Sequence, residues 1–471
     1  MVRFNKDKYL KKLRFKKYKR YLYIGIPCIL VLLIGIYFAY SKFSVFKEEE
    51  VVRTTVGDFI SGDAVIGAYV DGEYSKTIPG KNDGYVVDKI VCDNDATASW
   101  DNNSWGIVLT NLTKRTKCNV YFETKKPSLT EVITTAMNSS PSMFATDDPG
   151  KNIRYIGADP SNYVYFNCSD YTNPTADTCE LWRIIGVFNN VTKSDGSKEN
   201  LVKIIRADSL GVYYWDYKKN GVGTSTTNDG SNDWTDSQLM MMLNPTNYLK
   251  SGYTNSSDII SSGSQQLYSK MGSYYNGTKG CKPAAVASGA SFSCTEVDFT
   301  ATGLKNDVTR NAIEEVVWNL GGTGDYTSAS NGLASHFYGN ERGTTVYSGH
   351  TTIWTGKIGL MYPSDYGYAT SGGTTKDRAV CLAKELYNWD SSDFSDCKGN
   401  DYLYNSSLNQ WTLAPYSAFA HVVFSVDSGG YVNRSYANRS IAMRPALFLK
   451  SSILVDKGTG EKNNPFILSV N

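Results

Sequence analysis

The sequence predicts an α+β fold, with a small all-β module followed by one larger α+β domain. Three observations carry this. Short apolar and aromatic runs recur along residues 53–471 with Gly, Asn, Asp and Ser between them, as strands and turns do. Only a few segments carry helix signals, and those have caps. Eight of the nine cysteines form four sequence-local couples, a framework suited to disulfide-stapled extracellular units. A length of 471 residues suggests two or three domains, and 20% charged with 41% hydrophobic residues marks globular material.

The first forty residues set the topology. Residues 1–20, MVRFNKDKYLKKLRFKKYKR, hold ten Lys or Arg and one Asp, a charge of +9, so the remainder carries −7 of the net +2. Tyr21 to Tyr40 follows without a charge, twenty residues that suffice to cross a bilayer as a helix. Tyr21, Tyr23, Tyr37 and Tyr40 lie near its ends, where amphipathic rings favour the headgroup level. Ala39-Tyr40-Ser41 loosely resembles a cleavage site, but the apolar stretch is long and the basic region extended for a cleaved leader. The expectation is an uncleaved signal-anchor at 21–40, a cytoplasmic tail at 1–20 and an extracellular remainder in a single-pass cell-membrane protein. The tail then orients the span and touches anionic lipid, which removes nucleic acid as its partner.

A charged stalk occupies 41–52, and residues 53–124 read as the small β module. There, GAYVDGEY places a turn at Val70-Asp71-Gly72, and GIVLTNL and CNVYFET alternate as strands do. Residues 125–471 form the larger domain. Ser128 and Glu131 make a capping box for KKPSLTEVITTAM. In WTDSQLMMMLNP, Thr235 and Gln238 suggest a second box, with Asn244-Pro245 as the stop. NDVTRNAIEEVVWNLGG spaces Val308, Ala312 and Val316 by four and predicts a helix ending at Gly321-Gly322. DRAVCLAKELYNW predicts a fourth. LWRIIGVF, LVKIIRA, KIGLMY, HVVFSV and AMRPALFLK read as strands. In KIGLMYPSDYGYAT, Pro363 ends the strand and Ser364 or Asp365 starts a turn or short helix, a structural role for that pair.

Connectivity is open to sequence alone, but the clustering favours Cys92–Cys118, Cys168–Cys179, Cys281–Cys294 and Cys381–Cys397. Paired sulfurs are not nucleophiles. His336, His350 and His421 are the only histidines and none sits in a nucleophile motif. Asp229, Asn232, Asp233 and Asp236 offer oxygen donors of the type calcium prefers, although without EF-hand spacing. No cofactor is expected, calcium being the one ion that these donors would suit. Glu314-Glu315 reads as a solvated pair on the predicted helix.

ELWRIIGVF, KIIRADSLG, NDWTDSQLMMMLN, KIGLMYPSDYGYA, WTLAP and MRPALFLK follow one another in an order that resembles an uncharacterised extracellular domain of membrane-anchored proteins of Gram-positive bacteria. That domain is similar to the C-type-lectin-like fold, shared with formylglycine-generating enzymes. The resemblance covers about 150–471 and implies a C-type-lectin-like ectodomain. It places Trp182 and Arg183 on an early strand, Trp234 at a helix start, and Arg444, Pro445 and Leu447 on a closing strand. The calcium-sugar signatures EPN and WND are missing, and Cys381 with Cys397 read as a structural bridge, so enzymatic chemistry is not carried over.

The expected function is non-catalytic binding or adhesion at the cell surface, to a glycan, wall polymer or protein. An envelope-modifying glycosidase or transferase, or a structural spacer, are the alternatives. Aromatic and polar residues near strand ends are the ligand-binding candidates: Trp354, Tyr366, Tyr368, Trp411, Tyr431 and Arg434, the last two in SGGYVNRSYANRS (428–440).

Overall fold

The computed structural model describes residues 64–110, 116–216, 230–245, 272–283 and 294–470. The tail, anchor and stalk expected at 1–52 lie outside these residues. Among the described residues no helix is long and apolar enough to cross a membrane. The chain divides into two compact units, one ending at Lys125 and the other starting at Lys126. The sequence boundary was expected between 124 and 125.

The first unit is built of strands. Ala64–Val70 turns through Asp71 and Gly72, both at positive φ, into Glu73–Ser75. The Asp71 carboxylate secures the turn by accepting from the Thr124 N–H and Oγ1, each at 2.9 Å. Ala64–Val70 runs parallel to Thr116–Thr124, which pairs antiparallel with Tyr85–Cys92. Cys92 and Cys118 face each other in that register and are disulfide-bonded. Trp100 stands edge-on to the buried Phe122 at 5.3 Å, closing a small core.

The second unit is mixed α+β, mostly sheet with a few short helices. Among the described residues its largest sheet has nine strands around the antiparallel pair Glu180–Thr192 and Lys198–Arg206. Trp182 to Phe188 are buried without a break, because both faces of this strand are covered. Gly186 is required there: a Cβ would meet the Ile153 carbonyl oxygen of the antiparallel neighbour Ile153–Tyr155 at 2.1 Å. Ala446–Leu449 pairs with Lys198–Arg206, and Arg444-Pro445 separates it from Ile441–Ala442 in a second sheet of five strands. Cys168–Cys179 and Cys381–Cys397 are bonded. The side chains of Cys281 and Cys294 lie outside the described residues.

The Ser128 capping box holds helix Leu129–Ser139 as expected, with reciprocal bonds to Glu131. Three other helices differ from expectation. Asp233 caps a single 3-10 turn, Trp234–Asp236, and Ser237 rather than Thr235 caps Gln238–Leu243. All six residues of that helix are buried, so it has no solvent side. The helix expected to run to Gly321 stops at Ala312, and Val316–Asn319 is a strand paired with Ile353–Gly356. A spacing of four satisfies both periods here: Ala312, Val316 and Leu320 are buried either way, and β-branched Val316 and Val317 favour the strand. The fourth segment breaks into helix Arg378–Leu382 and 3-10 turn Leu386–Asp390.

Candidate functional site

The five-stranded sheet ends in Gln410–Pro415, Val422–Val426 and Val432–Tyr436, the last an edge strand. Its register sets Arg434 opposite Phe424 and Tyr436 opposite Val422, so these four side chains share one face. Phe424 with Tyr416 and Tyr326 forms an aromatic shelf, ring centroids 5.7 and 5.3 Å from that of Phe424. The Arg434 guanidinium lies 4.7 Å from the Tyr416 ring centroid. After Tyr436 the chain turns back, with the Arg439 N–H donating to the Tyr436 carbonyl at 2.9 Å.

A groove of about 520 Å³ opens at this corner, lined by Phe419, His421, Val422, Arg434, Ser435, Tyr436 and Arg439. The His421 ring stacks on Tyr436 at 5.4 Å and 15°, and Phe419 tilts against His421 at 6.0 Å. Phe419 and Tyr436 are 49% and 47% exposed, so one row of rings has a free face. The loop carrying Phe419 is pinned from below by Asn232, whose amide donates to the carbonyls of Tyr416, Phe419 and Val422 at 3.1, 2.9 and 2.7 Å. Asn232, one of the calcium candidates, thus holds the loop that lines the groove.

The sequence candidates separate sharply. Arg434 lines the groove. Tyr431 is half-buried and packs edge-on against Tyr387 at 6.0 Å, away from the lining set. Trp354, Tyr366, Tyr368 and Trp411 are core residues, at most 6% exposed. Tyr366 donates its hydroxyl to the Gly430 carbonyl at 2.9 Å, and Trp411 its Nε1–H to that of Tyr213 at 2.8 Å. Tyr366 and Tyr368 belong to the fully buried helix Pro363–Ala369 and Trp411 to the fully buried strand Gln410–Pro415, so these rings have no solvent to meet. Phe419, His421, Tyr436 and Arg439 were missed as site residues; the last two stand in the quoted 428–440 stretch.

Of the calcium candidates, Asp229 and the side chain of Asp236 lie outside the described residues. Asp233 accepts from the N–H and Oγ1 of both Thr235 and Thr351 at 2.7 to 3.2 Å. Among the described residues no group of three His, Cys, Asp or Glu could hold a metal ion.

KIGLMYPSDYGYAT is an interior element. Ile358–Gly359 is its strand, and Pro363 opens the buried helix Pro363–Ala369. Asp365 accepts from the Tyr362 N–H at 2.9 Å, from Arg154 Nη1 at 2.9 Å and from Lys203 Nζ at 2.6 Å. Burial works against ionisation of Asp365, but the Lys203 and Arg154 charges outweigh it and hold the carboxyl down at about 2. Glu341 accepts from the Ser364 N–H and Oγ, and burial pushes its carboxyl up to about 7. Lys203 is fully buried with its ammonium 4.4 Å from the Tyr362 ring centroid and 5.2 Å from that of Trp318.

A smaller cleft of about 130 Å³ above this network is lined by Asn152, Asn189, Asn319, Tyr338 and Arg342 among others. Neither cavity has a carboxylate in its lining, and a glycosidase would need two facing one. The exposed rings and guanidinium groups of the larger groove can bind a ligand. No protein-family model matches the chain, and neither a curated protein nor a solved structure matches it.

Proposed function

We propose that the chain is a single-pass membrane-anchored cell-surface protein whose larger domain binds a glycan, wall polymer or protein outside the cell without catalysis. The charge-free stretch at 21–40 behind a +9 tail supports the anchor and its orientation. The ordered run from ELWRIIGVF to MRPALFLK supports a C-type-lectin-like domain in this reading. The observation that carries binding is the groove at the sheet edge, where exposed rings and two exposed arginines converge. Rings of this kind lose little conformational entropy when a ligand covers them.

The test is retention of the full-length chain, in detergent, on an array of glycans and cell-wall fragments. Tyr436→Ala is expected to weaken retention about tenfold, roughly the 1.4 kcal/mol of a good aromatic contact. Tyr436 is exposed, so the thermal midpoint should stay within about 2 °C of the parent. Unchanged retention would remove the groove from the account.

A further inference from the structure

The groove has a charge character that narrows its ligand. The tripeptide Asn-Arg-Ser occurs twice, at 433–435 and 438–440, which sets Arg434 and Arg439 five residues apart. On a continuous strand an odd spacing sends side chains to opposite faces. Here the strand ends at Tyr436, and the turn closed by Arg439 N–H to the Tyr436 carbonyl returns Arg439 to the Arg434 side. Both arginines are exposed and line one groove. Among the described residues neither guanidinium has a hydrogen bond or an ion pair, and no Asp or Glu lines the groove.

Two like charges brought together without a counter-charge repel, and an anion relieves that repulsion. Arg434 is also preoriented: its guanidinium lies over Tyr416, leaving the N–H edge for a planar acceptor. Phe419 and Tyr436 supply exposed ring faces beside the cations. We infer that this groove recognises an anionic saccharide polymer, its carboxylate or phosphate groups on Arg434 and Arg439 and its sugar rings on Tyr436 and Phe419. This rests on the binding function proposed above and names the ligand class for the same site.

The full-length chain, held in nanodiscs of zwitterionic lipid, would be titrated with polygalacturonate and with its fully methyl-esterified form. Poly(glycerol phosphate) serves as a third probe, with charge but no sugar ring. Polygalacturonate is expected to bind most tightly, and its affinity to fall as salt rises. Arg434→Ala and Arg439→Ala should each weaken it about tenfold, as loss of a charge-assisted bond does. Lys at both positions should restore part of the loss by keeping the charge without the planar fork. Equal binding of the esterified polymer, lost in Tyr436→Ala, would overturn the anionic assignment and leave groove binding standing. Tighter binding of poly(glycerol phosphate) that Tyr436→Ala leaves intact would also overturn it, because charge alone would then suffice. No binding of any probe, with retention on a neutral glycan or protein that survives Tyr436→Ala, would overturn both.

Discussion

Replacing Asp365 with alanine is expected to destabilise the larger unit by about 3–5 kcal/mol, the cost of stranding a buried charge. Three donors converge on this carboxylate: Arg154 Nη1, Lys203 Nζ and the Tyr362 N–H. Lys203 has no exposed surface, and Asp365 is its only salt-bridge partner among the described residues. Arg154 is better insulated, because Asp148 pairs with its Nε. Asp365→Asn should fall between parent and alanine variant, since it keeps the shape and loses the charge. Lys203→Met added to Asp365→Ala should recover part of the loss by removing the stranded ammonium. Urea unfolding followed by tryptophan fluorescence reads all three; a loss below about 1 kcal/mol for the alanine variant would contradict the network's role.

The second large effect is a pH dependence. Burial raises the Glu341 carboxyl from 4.5 to about 7 in the folded chain. The native state thus holds this proton more tightly than the unfolded chain. The stabilisation is complete below about 4.5 and is lost as pH rises through about 7. The fall amounts to on the order of 3 kcal/mol for a shift of this size. Glu341→Gln should abolish Glu341's share. Its amide oxygen can accept from the Ser364 N–H as the carboxyl does, and its NH₂ can donate to Ser364 Oγ, which then reverses the direction of that bond. Asp401 is likewise pushed up to about 7 by burial, so the variant retains a residual fall of the same sign. Stability measured at pH 5 and pH 8 in both proteins separates the two shares. A variant with the parent's full slope would exclude Glu341 as its source.

What was legible in the sequence was local. The Ser128–Glu131 box spans four residues, the Asp71-Gly72 turn joins adjacent strands, and the disulfides at 92–118, 168–179 and 381–397 close short loops. The helix reading failed where the local signal was degenerate, at Ala312, Val316 and Leu320, and pairing with Ile353–Gly356 decided for strand. Long-range partners left no trace. Asp365 is 162 residues from Lys203 and 211 from Arg154, so its role as the centre of a buried network is invisible along the chain.

The same limit governed the site. Tyrosine and tryptophan near strand ends suit a surface or a core equally well, and Trp354, Tyr366, Tyr368 and Trp411 went to the core. Arg434 was found because residues 428–440 gather amides, arginines and tyrosines in one stretch. The loop that brings Phe419 and His421 to the groove is held in part by Asn232, 187 residues before Phe419.

Hydrogen exchange of the full-length chain, with and without the tightest-binding polymer, tests the central claim most directly. A ligand in the groove should slow exchange of the amides at 418–422 and 433–440 and leave those around Tyr366, deep in the core, unchanged. Saturable binding with protection elsewhere, or around the smaller cleft at Asn189 and Asn319, would place the binding site outside this groove.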